Sequence, residues 1–461
     1  MSAPAVTALL LERVGGLGWA GLSDSTRAAT VRHLLDTLAA IIAGSDQRVT
    51  VGAEAALAGV RAAGAVPVPG RERRQDLLDA VWLAAVAGHG LELDDGYRPG
   101  STHPGTVVIP AVLALAHQSH ASGEALLEAV VAGYEAVTLV ARLAHPRMRR
   151  RGFHPTATSG VFGAAVAAAR LRGLDQQALE RALGLAASGA AGLFAFVAGG
   201  ADVKRLHPGH AAREGVLAVL LAEQGLAGPP RVLEGRDGFF QAFADGLPEP
   251  IDWQAERARA PGISDCYIKP YPCCRHLQPA IDAVLALAGE HDLHAEEVSA
   301  IEVETYRIAA DHATVGWTDF ASSQLSFPFV LATALRHRAV TLAHFNAAAR
   351  ADAATAALCA RVSVRASDDM DRRYLDQRPA RVRLHARGRV YEHDASEALG
   401  SATVPMDEAA LEKKFIDLSA PIVGADRARA LRQQWSRVER VHDVAPLIDA
   451  TAPPFDLTGV P

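Results

Sequence analysis

Helical periodicity dominates the first half of the chain and its C-terminal end. Ser23 or Ser25 is a suitable N-cap for a helix that ends at Gly44. The run 76–90 is apolar on nearly every side, which is typical of a buried helix. Further helices are predicted near 107–117, 124–144, 161–171 and 210–224, and helical patterning returns from Asp407 onward.

The pattern changes near residue 265. Alternating apolar and polar positions at 299–306, 361–365 and 380–391 predict strands, the last interrupted by Gly388. Helices are predicted around them, at about 276–290, 323–336 and 341–357. The expected fold is therefore mainly α, with a large all-helical domain built from 1–265 and 400–461. An inserted α+β domain of 266–399 completes it.

Composition excludes several classes of protein. The 461 residues carry a net charge of −6 and have no long basic tract, so nucleic acid is not an expected partner. No apolar run approaches the roughly 20 residues of a membrane-spanning helix. The N-terminus does not have the pattern of a signal peptide. Four cysteines give no disulfide framework, so a cytoplasmic location is expected.

Lysine is rare among the 46 basic residues and occurs only at positions 204, 269, 413 and 414. Arginine keeps its charge in proteins, whereas a buried lysine can lose its proton. Lys204 and Lys269 stand in segments rich in proline, glycine or histidine, which makes them candidates for chemistry. Lys413 and Lys414 follow several acidic residues and are expected on an ordinary charged helix.

Acidic and histidine-containing segments supply the other candidates. The segment 91–105 holds three carboxylates and His103. His-Pro dipeptides occur at 103, 145, 154 and 207; the one at 145 is interpreted as a helix stop, and the others are predicted in loops before helices. Helix entry explains the prolines but not the repeated histidines. With Lys204 and the acids they form a plausible acid–base set, although loop aspartates also cap turns.

Two further segments suggest ligand binding. The helix after His154 is expected to be capped by threonine or serine and to offer backbone N–H groups to an anion, with Thr156 and Ser159 nearby. Cys273, Cys274 and His276 match no zinc-ligand spacing, so no metal is expected. That segment is either a tight turn or a substrate contact through Lys269, Arg275 and His276.

Four segments together resemble the MmgE/PrpD family: LELDDGYRPGSTHPG, GFHPTATSGVFGAA, GADVKRLHPGHAAREG and YIKPYPCCRH. The resemblance extends over essentially the whole chain. Activities in this family include 2-methylcitrate dehydratase, cis-aconitate decarboxylase and iminodisuccinate epimerase. The resemblance implies a helical domain with a smaller α+β lid, a homodimer, and no metal or organic cofactor. It assigns the family's acidic, histidine and lysine motif positions to Glu92, Asp94, Asp95, His103, His154, Lys204 and Lys269.

The sequence therefore predicts a lyase of the dehydratase or decarboxylase type. Its expected substrate is a small di- or tricarboxylic acid, with proton transfer next to a carboxylate. An epimerase using the same proton abstraction, or an inactive carboxylate-binding protein, are the alternatives. The predicted catalytic residues are His103, His154, Lys204, Glu92 and Asp94. The predicted substrate-binding residues are Asp95, Lys269, Arg275, His276, Thr156 and Ser159.

The resemblance also identifies departures. The dehydratase and decarboxylase branch carries Asp and Thr where this sequence has Glu92 and Gly96, and the acidic loop here is one residue longer. Cys274 stands where the decarboxylase has a histidine. These differences bear on the substrate and on the reaction that follows proton transfer.

Overall fold

The chain divides into two compact units. A computed structural model describes residues 6–198, 202–374 and 376–453. One unit combines the chain up to Ile268 with the chain from Asp407 onward, and the other is Lys269–Met406. The fold is mainly α with a small sheet, as predicted. The units divide a few residues after the positions 265 and 400 that the sequence indicates.

The larger unit is helical. Ser23 caps its second helix, since its side chain accepts a hydrogen bond from Thr26 N at 3.2 Å, and the helix ends at Gly44 as expected. The helices of the first segment are α1 (Val6–Gly15), α2 (Asp24–Gly44), α3 (Arg48–Ala58), α4 (Leu77–Gly88), α5 (Gly105–Ser119), α6 (Gly123–Ala144), α7 (Arg147–Arg150), α8 (Pro155–Leu171), α9 (Gln176–Ser188), α10 (Val203–Glu223), α11 (Phe239–Ala244) and α12 (Trp253–Ala258).

Helix α8 lies at the centre of the larger unit. Every residue from Pro155 to Ala169 is buried, and the helix packs against α5, α6 and α10. Its small residues permit this close approach: a Cβ atom added to Gly163 would lie 2.1 Å from Val137 Cγ2. Because the N-terminal end of α8 is buried, His154 at that end is held inside the protein rather than on its surface.

The smaller unit contains helices and one sheet. Its helices are α13 (Gln278–Glu290), α14 (Arg307–Ala310), α15 (Phe320–Ser323), α16 (Phe327–His337), α17 (Ala347–Arg350), α18 (Ala353–Cys359) and α19 (Asp368–Arg373). Its strands are β1 (Val298–Thr305), β2 (Val362–Ala366), β3 (Ala380–Ala386) and β4 (Arg389–Ala395).

The sheet has the strand order β2-β1-β3-β4. Strand β1 pairs parallel with β2 and antiparallel with β3, and β3 pairs antiparallel with β4. Arg387 and Gly388 connect β3 to β4 with φ angles of 51° and 68°, which is the two-residue turn that suits the twist of a hairpin. The predicted interruption at Gly388 is therefore a strand-to-strand turn. The chain then returns to the larger unit as α20 (Glu408–Val423), α21 (Ala425–Trp435) and α22 (Ala445–Asp449).

The structure corrects two predictions about helix starts. Helix α10 begins at Val203 and not near 210, so Lys204 and the His207-Pro208 dipeptide lie on the helix rather than in a loop. Helix α8 begins at Pro155 with His154 at its N-cap, so no threonine or serine caps it. Among the described helices, none has the length and apolar character needed to cross a membrane.

Candidate functional site

The acidic loop after α4 is tied down by Asp95. Its carboxylate accepts hydrogen bonds from Tyr134 Oη at 2.7 Å and from Gly105 N at 2.9 Å. His33 Nδ1 lies 2.9 Å from the same carboxylate. Asp95 is fully buried, so these contacts replace the water it would otherwise bind. Asp95 therefore joins the loop to helices α2, α5 and α6.

Asp94 lies between two imidazole rings. Its Oδ2 is 2.7 Å from His89 Nδ1 and 3.3 Å from His103 Nδ1. His103 Nδ1 is also 2.6 Å from the carbonyl oxygen of Asp95, which can only accept a hydrogen bond. His103 therefore carries its proton on Nδ1 when neutral, and Nε2 is the nitrogen suited to accept another.

Four histidines form one group, which we call the histidine cluster: His89, His103, His154 and His207. The ring centroids of His89 and His103 are 5.1 Å apart, and those of His89 and His154 are 6.1 Å apart. His154 Nδ1 lies 3.0 Å from His207 Nδ1. The loop after α4, the loop before α5, the start of α8 and the first turns of α10 each contribute one ring.

Burial keeps three of these histidines neutral. It lowers the pKa of His89 to about 3, against the opposing effect of Asp94, and that of His207 to about 4. The pKa of His154 is well below its ordinary value because of burial and of the neighbouring imidazoles. At neutral pH these rings carry no charge, so the Asp94 carboxylate is not balanced by a charge on any of the three.

Lys204 and Glu92 form an ion pair beside the cluster. Lys204 lies in the first turn of α10, and Glu92 has a positive φ of 56°, which is uncommon for a residue other than glycine. The side chains of Lys204 and His103 are 19% and 15% exposed, whereas that of Asp94 is fully buried. A small molecule can therefore reach the lysine and His103 more readily than the carboxylate behind them.

Thr156 and Ser159, the two substrate-binding residues predicted near the start of α8, make different contacts. Thr156 Oγ1 accepts a hydrogen bond from His103 N at 3.2 Å, so it helps to fix the His103 backbone. Ser159 Oγ lies 4.0 Å from Met148 Sδ, away from that contact. The N–H groups of Ala157 and Thr158 both donate to the His154 carbonyl oxygen, which occupies two of the N–H groups expected to meet an anion.

The smaller unit holds the remaining predicted residues. Arg275 donates to Gln278 Oε1 and Leu399 O, both at 2.7 Å, and to Ala398 O at 2.9 Å. His276 Nδ1 lies 2.5 Å from Tyr306 Oη. Lys269 is 1% exposed. The described contacts of Arg275 bind the chain near 398–399, and substrate binding by Lys269, Arg275 and His276 stays a prediction.

Comparison with known families gives a match over most of the chain. The MmgE/PrpD N-terminal domain matches residues 10–250, and the MmgE/PrpD C-terminal domain matches residues 271–439. The chain belongs to the MmgE/PrpD family. The resemblance inferred from four short segments is thereby confirmed.

Curated relatives of this MmgE/PrpD protein include three cis-aconitate decarboxylases. One from Aspergillus terreus is 26% identical over 385 residues, which is 78% of each chain. A second, from Aspergillus terreus strain NIH 2624 / FGSC A1156, is 27% identical over 384 residues, again 78% of each chain. The human enzyme is 35% identical over 176 residues, which is 37% of this chain and 36% of its own.

The structure explains why this MmgE/PrpD chain has glycine at position 96. Its backbone exchanges two hydrogen bonds with Tyr267, at 3.0 Å and 2.8 Å. A Cβ atom added to Gly96 would lie 2.3 Å from the Tyr267 ring. Threonine therefore does not fit at this position while the tyrosine keeps its place, and the departure at 96 accompanies an aromatic ring packed over the loop.

Sequence patterns missed three residues close to these groups. His89 follows an all-apolar helix, and that buried placement was the signal for it. His207 belongs to a His-Pro dipeptide, but it is not among the predicted catalytic residues. Lys414 lies on a charged helix as expected, but it was given no role: its Nζ lies 2.5 Å from Asp36 Oδ1 and 3.1 Å from Leu93 O, and its side chain is only 9% exposed.

Metal ligands are a separate question from the acid–base groups. Within residues 6–198, 202–374 and 376–453, no group of three or more histidine, cysteine, aspartate or glutamate side chains is arranged to hold a metal ion. The histidine cluster instead pairs ring nitrogens with one another, with Asp94 and with a backbone carbonyl. Such an arrangement is suited to moving protons.

Proposed function

We propose that this protein is a cofactor-independent lyase that acts on a small di- or tricarboxylic acid by proton transfer at the carbon next to a carboxylate. The observation that carries the proposal is the pairing of His103 with two acceptors. Its Nδ1 is 2.6 Å from Asp95 O and 3.3 Å from Asp94 Oδ2, and its side chain is partly exposed beside Lys204.

His103 is the proposed base. Its Nε2 takes the proton from the substrate carbon, and the ring becomes an imidazolium. Asp94 stabilises that positive charge from 3.3 Å, in a buried place where charge–charge attraction is stronger than in water. The neutral rings of His89 and His154 surround the pair without adding a competing positive charge.

Lys204 is the proposed anion-binding group. Its ammonium is held by the Glu92 carboxylate, and its side chain is 19% exposed. A substrate carboxylate that reaches this point is attracted by the positive charge. Because proton removal places negative charge on that carboxylate, a cation held at this point stabilises the charge as it develops. Glu92 and Thr156 act indirectly, by holding Lys204 and the His103 backbone.

The relatives support the lyase class. The names of the Aspergillus terreus and human proteins identify them as cis-aconitate decarboxylases, enzymes that act on a tricarboxylic acid. When a carboxylate leaves as carbon dioxide, the electron pair of the broken bond stays on carbon, and this carbanion must take a proton. His103 in its charged form is the proposed proton donor for such a substrate. Dehydration would use the neutral ring, and the two are separated by their products. Homodimer formation remains a prediction from the resemblance, and a cytoplasmic location remains a prediction from the cysteine content.

The test is proton NMR in heavy water with a panel of di- and tricarboxylic acids that includes cis-aconitate. We expect deuterium next to a carboxylate, together with a product lacking carbon dioxide or water. Exchange with inversion and no elimination would replace the lyase by an epimerase. Binding in a thermal-shift assay without exchange on any member would replace it by a carboxylate-binding protein.

His103→Gln tests the base directly. Positioned general acid–base groups contribute about 10²- to 10⁴-fold to rate, so we expect a loss of that size. His120→Gln is the matched control, since that side chain is 70% exposed and lies at the C-terminal end of α5. Full turnover in His103→Gln would remove this residue from the proposed mechanism.

A further inference from the structure

Cys274 and His312 lie together in the smaller unit, and the mechanism proposed above uses neither. Cys274 Sγ is 3.9 Å from His312 Nε2. His312 Nδ1 is 3.0 Å from Leu325 O, an acceptor only, so Nδ1 carries the proton of the neutral ring. Nε2 then presents its lone pair to the thiol. This is the arrangement in which an imidazole activates a cysteine.

The surroundings hold both partners in place. The N–H of Cys274 donates to Gln324 O at 2.9 Å, and His312 donates to the carbonyl of the next residue, Leu325. One short segment of chain therefore fixes the thiol and the ring. His276 stacks on His312 with ring centroids 6.2 Å apart.

The charge environment favours a thiolate. Burial alone raises the pKa of the Cys274 thiol, but the imidazolium of His312, the N–H of His276 and the charge of Lys269 outweigh it and lower the pKa to about 6. The pKa of His312 is raised in turn by Cys274, against the effect of burial. The neighbouring Cys273 thiol stays protonated because burial raises its pKa.

We propose that Cys274 and His312 form an activated thiol pair, a covalent site for carboxylate-bearing, electron-poor alkenes. The cations of His312 and Lys269 supply the preference for an anionic partner. The assignment stands on this geometry and does not depend on the proposed lyase reaction.

The reaction is an addition. The Cys274 sulfur forms a bond to the β-carbon of an α,β-unsaturated carboxylic acid, and the electron pair of the double bond moves to the α-carbon. That carbon takes the proton from His312 Nε2. The product is a thioether whose mass is the sum of protein and alkene, and no oxidant or reductant takes part.

Differences in burial are expected to make Cys274 more reactive than the other three cysteines. Cys266, Cys273 and Cys359 are 5%, 0% and 4% exposed, whereas Cys274 is partly exposed. Burial raises the pKa of Cys359 to about 12 and that of Cys266 well above its ordinary value. A thiol that is both covered and protonated reacts slowly. One cysteine of four is therefore expected to react in the native protein.

The first experiment is intact-mass and peptide-mass analysis of the native protein treated with iodoacetamide between pH 5 and 9. At pH 6 the thiolate fraction is about 150-fold that of an ordinary thiol, and the weaker nucleophilicity of a low-pKa thiolate removes about tenfold of this. We expect labelling of Cys274 roughly tenfold faster than that of a cysteine in an unstructured peptide at pH 6. Cys274→Ser should remain unlabelled, and Cys359→Ser should react like the wild type.

His312→Gln and Lys269→Met separate the two partners. His312→Gln should move the midpoint of the pH–rate curve from about 6 to above 8, while circular dichroism and the melting temperature verify folding. Monomethyl fumarate should be favoured over dimethyl fumarate, relative to their rates with N-acetylcysteine, and Lys269→Met should reduce that preference. An unlabelled Cys274, a wild-type midpoint above 8, or an unchanged midpoint in His312→Gln would each overturn the activated pair.

Discussion

Replacing Asp95 by alanine tests whether this buried carboxylate is structural or binds substrate. The substitution removes the acceptor for Tyr134 Oη at 2.7 Å and Gly105 N at 2.9 Å, and the group 2.9 Å from His33 Nδ1. A buried donor left without a partner costs about 1–3 kcal/mol, so the two hydrogen-bond donors give about 2–6 kcal/mol. Because water can partly replace the lost acceptor, we expect a loss of unfolding free energy in the lower half of that range, about 2–4 kcal/mol.

Asp95→Asn is the graded comparison. It keeps the shape and one acceptor oxygen, and the Tyr134 hydroxyl can turn to accept from the new amide. We expect a loss of about 1–2 kcal/mol. Asp46→Ala, at an exposed position, is the surface control and should change the unfolding free energy by less than about 0.5 kcal/mol.

The assay is urea unfolding followed by tryptophan fluorescence. Trp317 is the only one of the five tryptophans in the smaller unit, so the signal reports mainly on the larger unit that contains Asp95. Trp317→Phe removes the remaining contribution. If Asp95→Ala unfolds at the same urea concentration as the wild type but loses turnover, the structural argument is refuted. Asp95 would then act on the substrate, as the sequence predicted.

Two more predictions concern stability. Burial lowers the pKa of His89 and His154 in the folded state, so these residues take up protons in the unfolded chain first as the pH falls below about 6.5. Between pH 7.5 and pH 5.5, each histidine should therefore lower the free energy of unfolding by about 1.4 kcal/mol. Equal urea midpoints at the two pH values would contradict this. Lys414→Met leaves Asp36 buried without its cation and should lower the free energy of unfolding by about 3–5 kcal/mol. The control Lys413→Met changes an exposed side chain and should lower it by less than about 0.5 kcal/mol. Equal melting temperatures for the two variants would refute the importance of the Lys414–Asp36 pair.

Local sequence patterns predicted most of the fold. The Ser23 cap, the apolar helix α4 and the alternation in 299–306 are each visible within a short stretch of sequence, and the structure has all three. Helix α10 was misjudged because Pro208 suggested a helix start. Pro208 lies five residues after Val203, inside the helix. Proline is disfavoured at such a position, so the sequence pattern predicts a helix start there instead.

The candidate site was predictable only in part. His103, His154 and Lys204 stand out by residue type, since histidine repeats and rare lysines are visible in the sequence. Lys414 does not, because its partner Asp36 lies 378 residues earlier and only the fold brings the two together. His89 was missed for a different reason: its place at the end of an apolar helix indicated burial, but a buried histidine is also expected to be structural.

Within the histidine cluster, His103 differs from His89 and His154 in being less deeply buried. His89 and His154 are 1% and 3% exposed, and burial makes a positive charge on either ring costly. His103 is more exposed, and Asp94 lies 3.3 Å from its Nδ1. In the proposed mechanism, the proton taken from the substrate is therefore placed on His103, beside Asp94. The proposed role of the other rings is to remain neutral, since each would repel that charge if it were protonated. Exchanging either buried ring for glutamine should consequently disturb catalysis less than His103→Gln does.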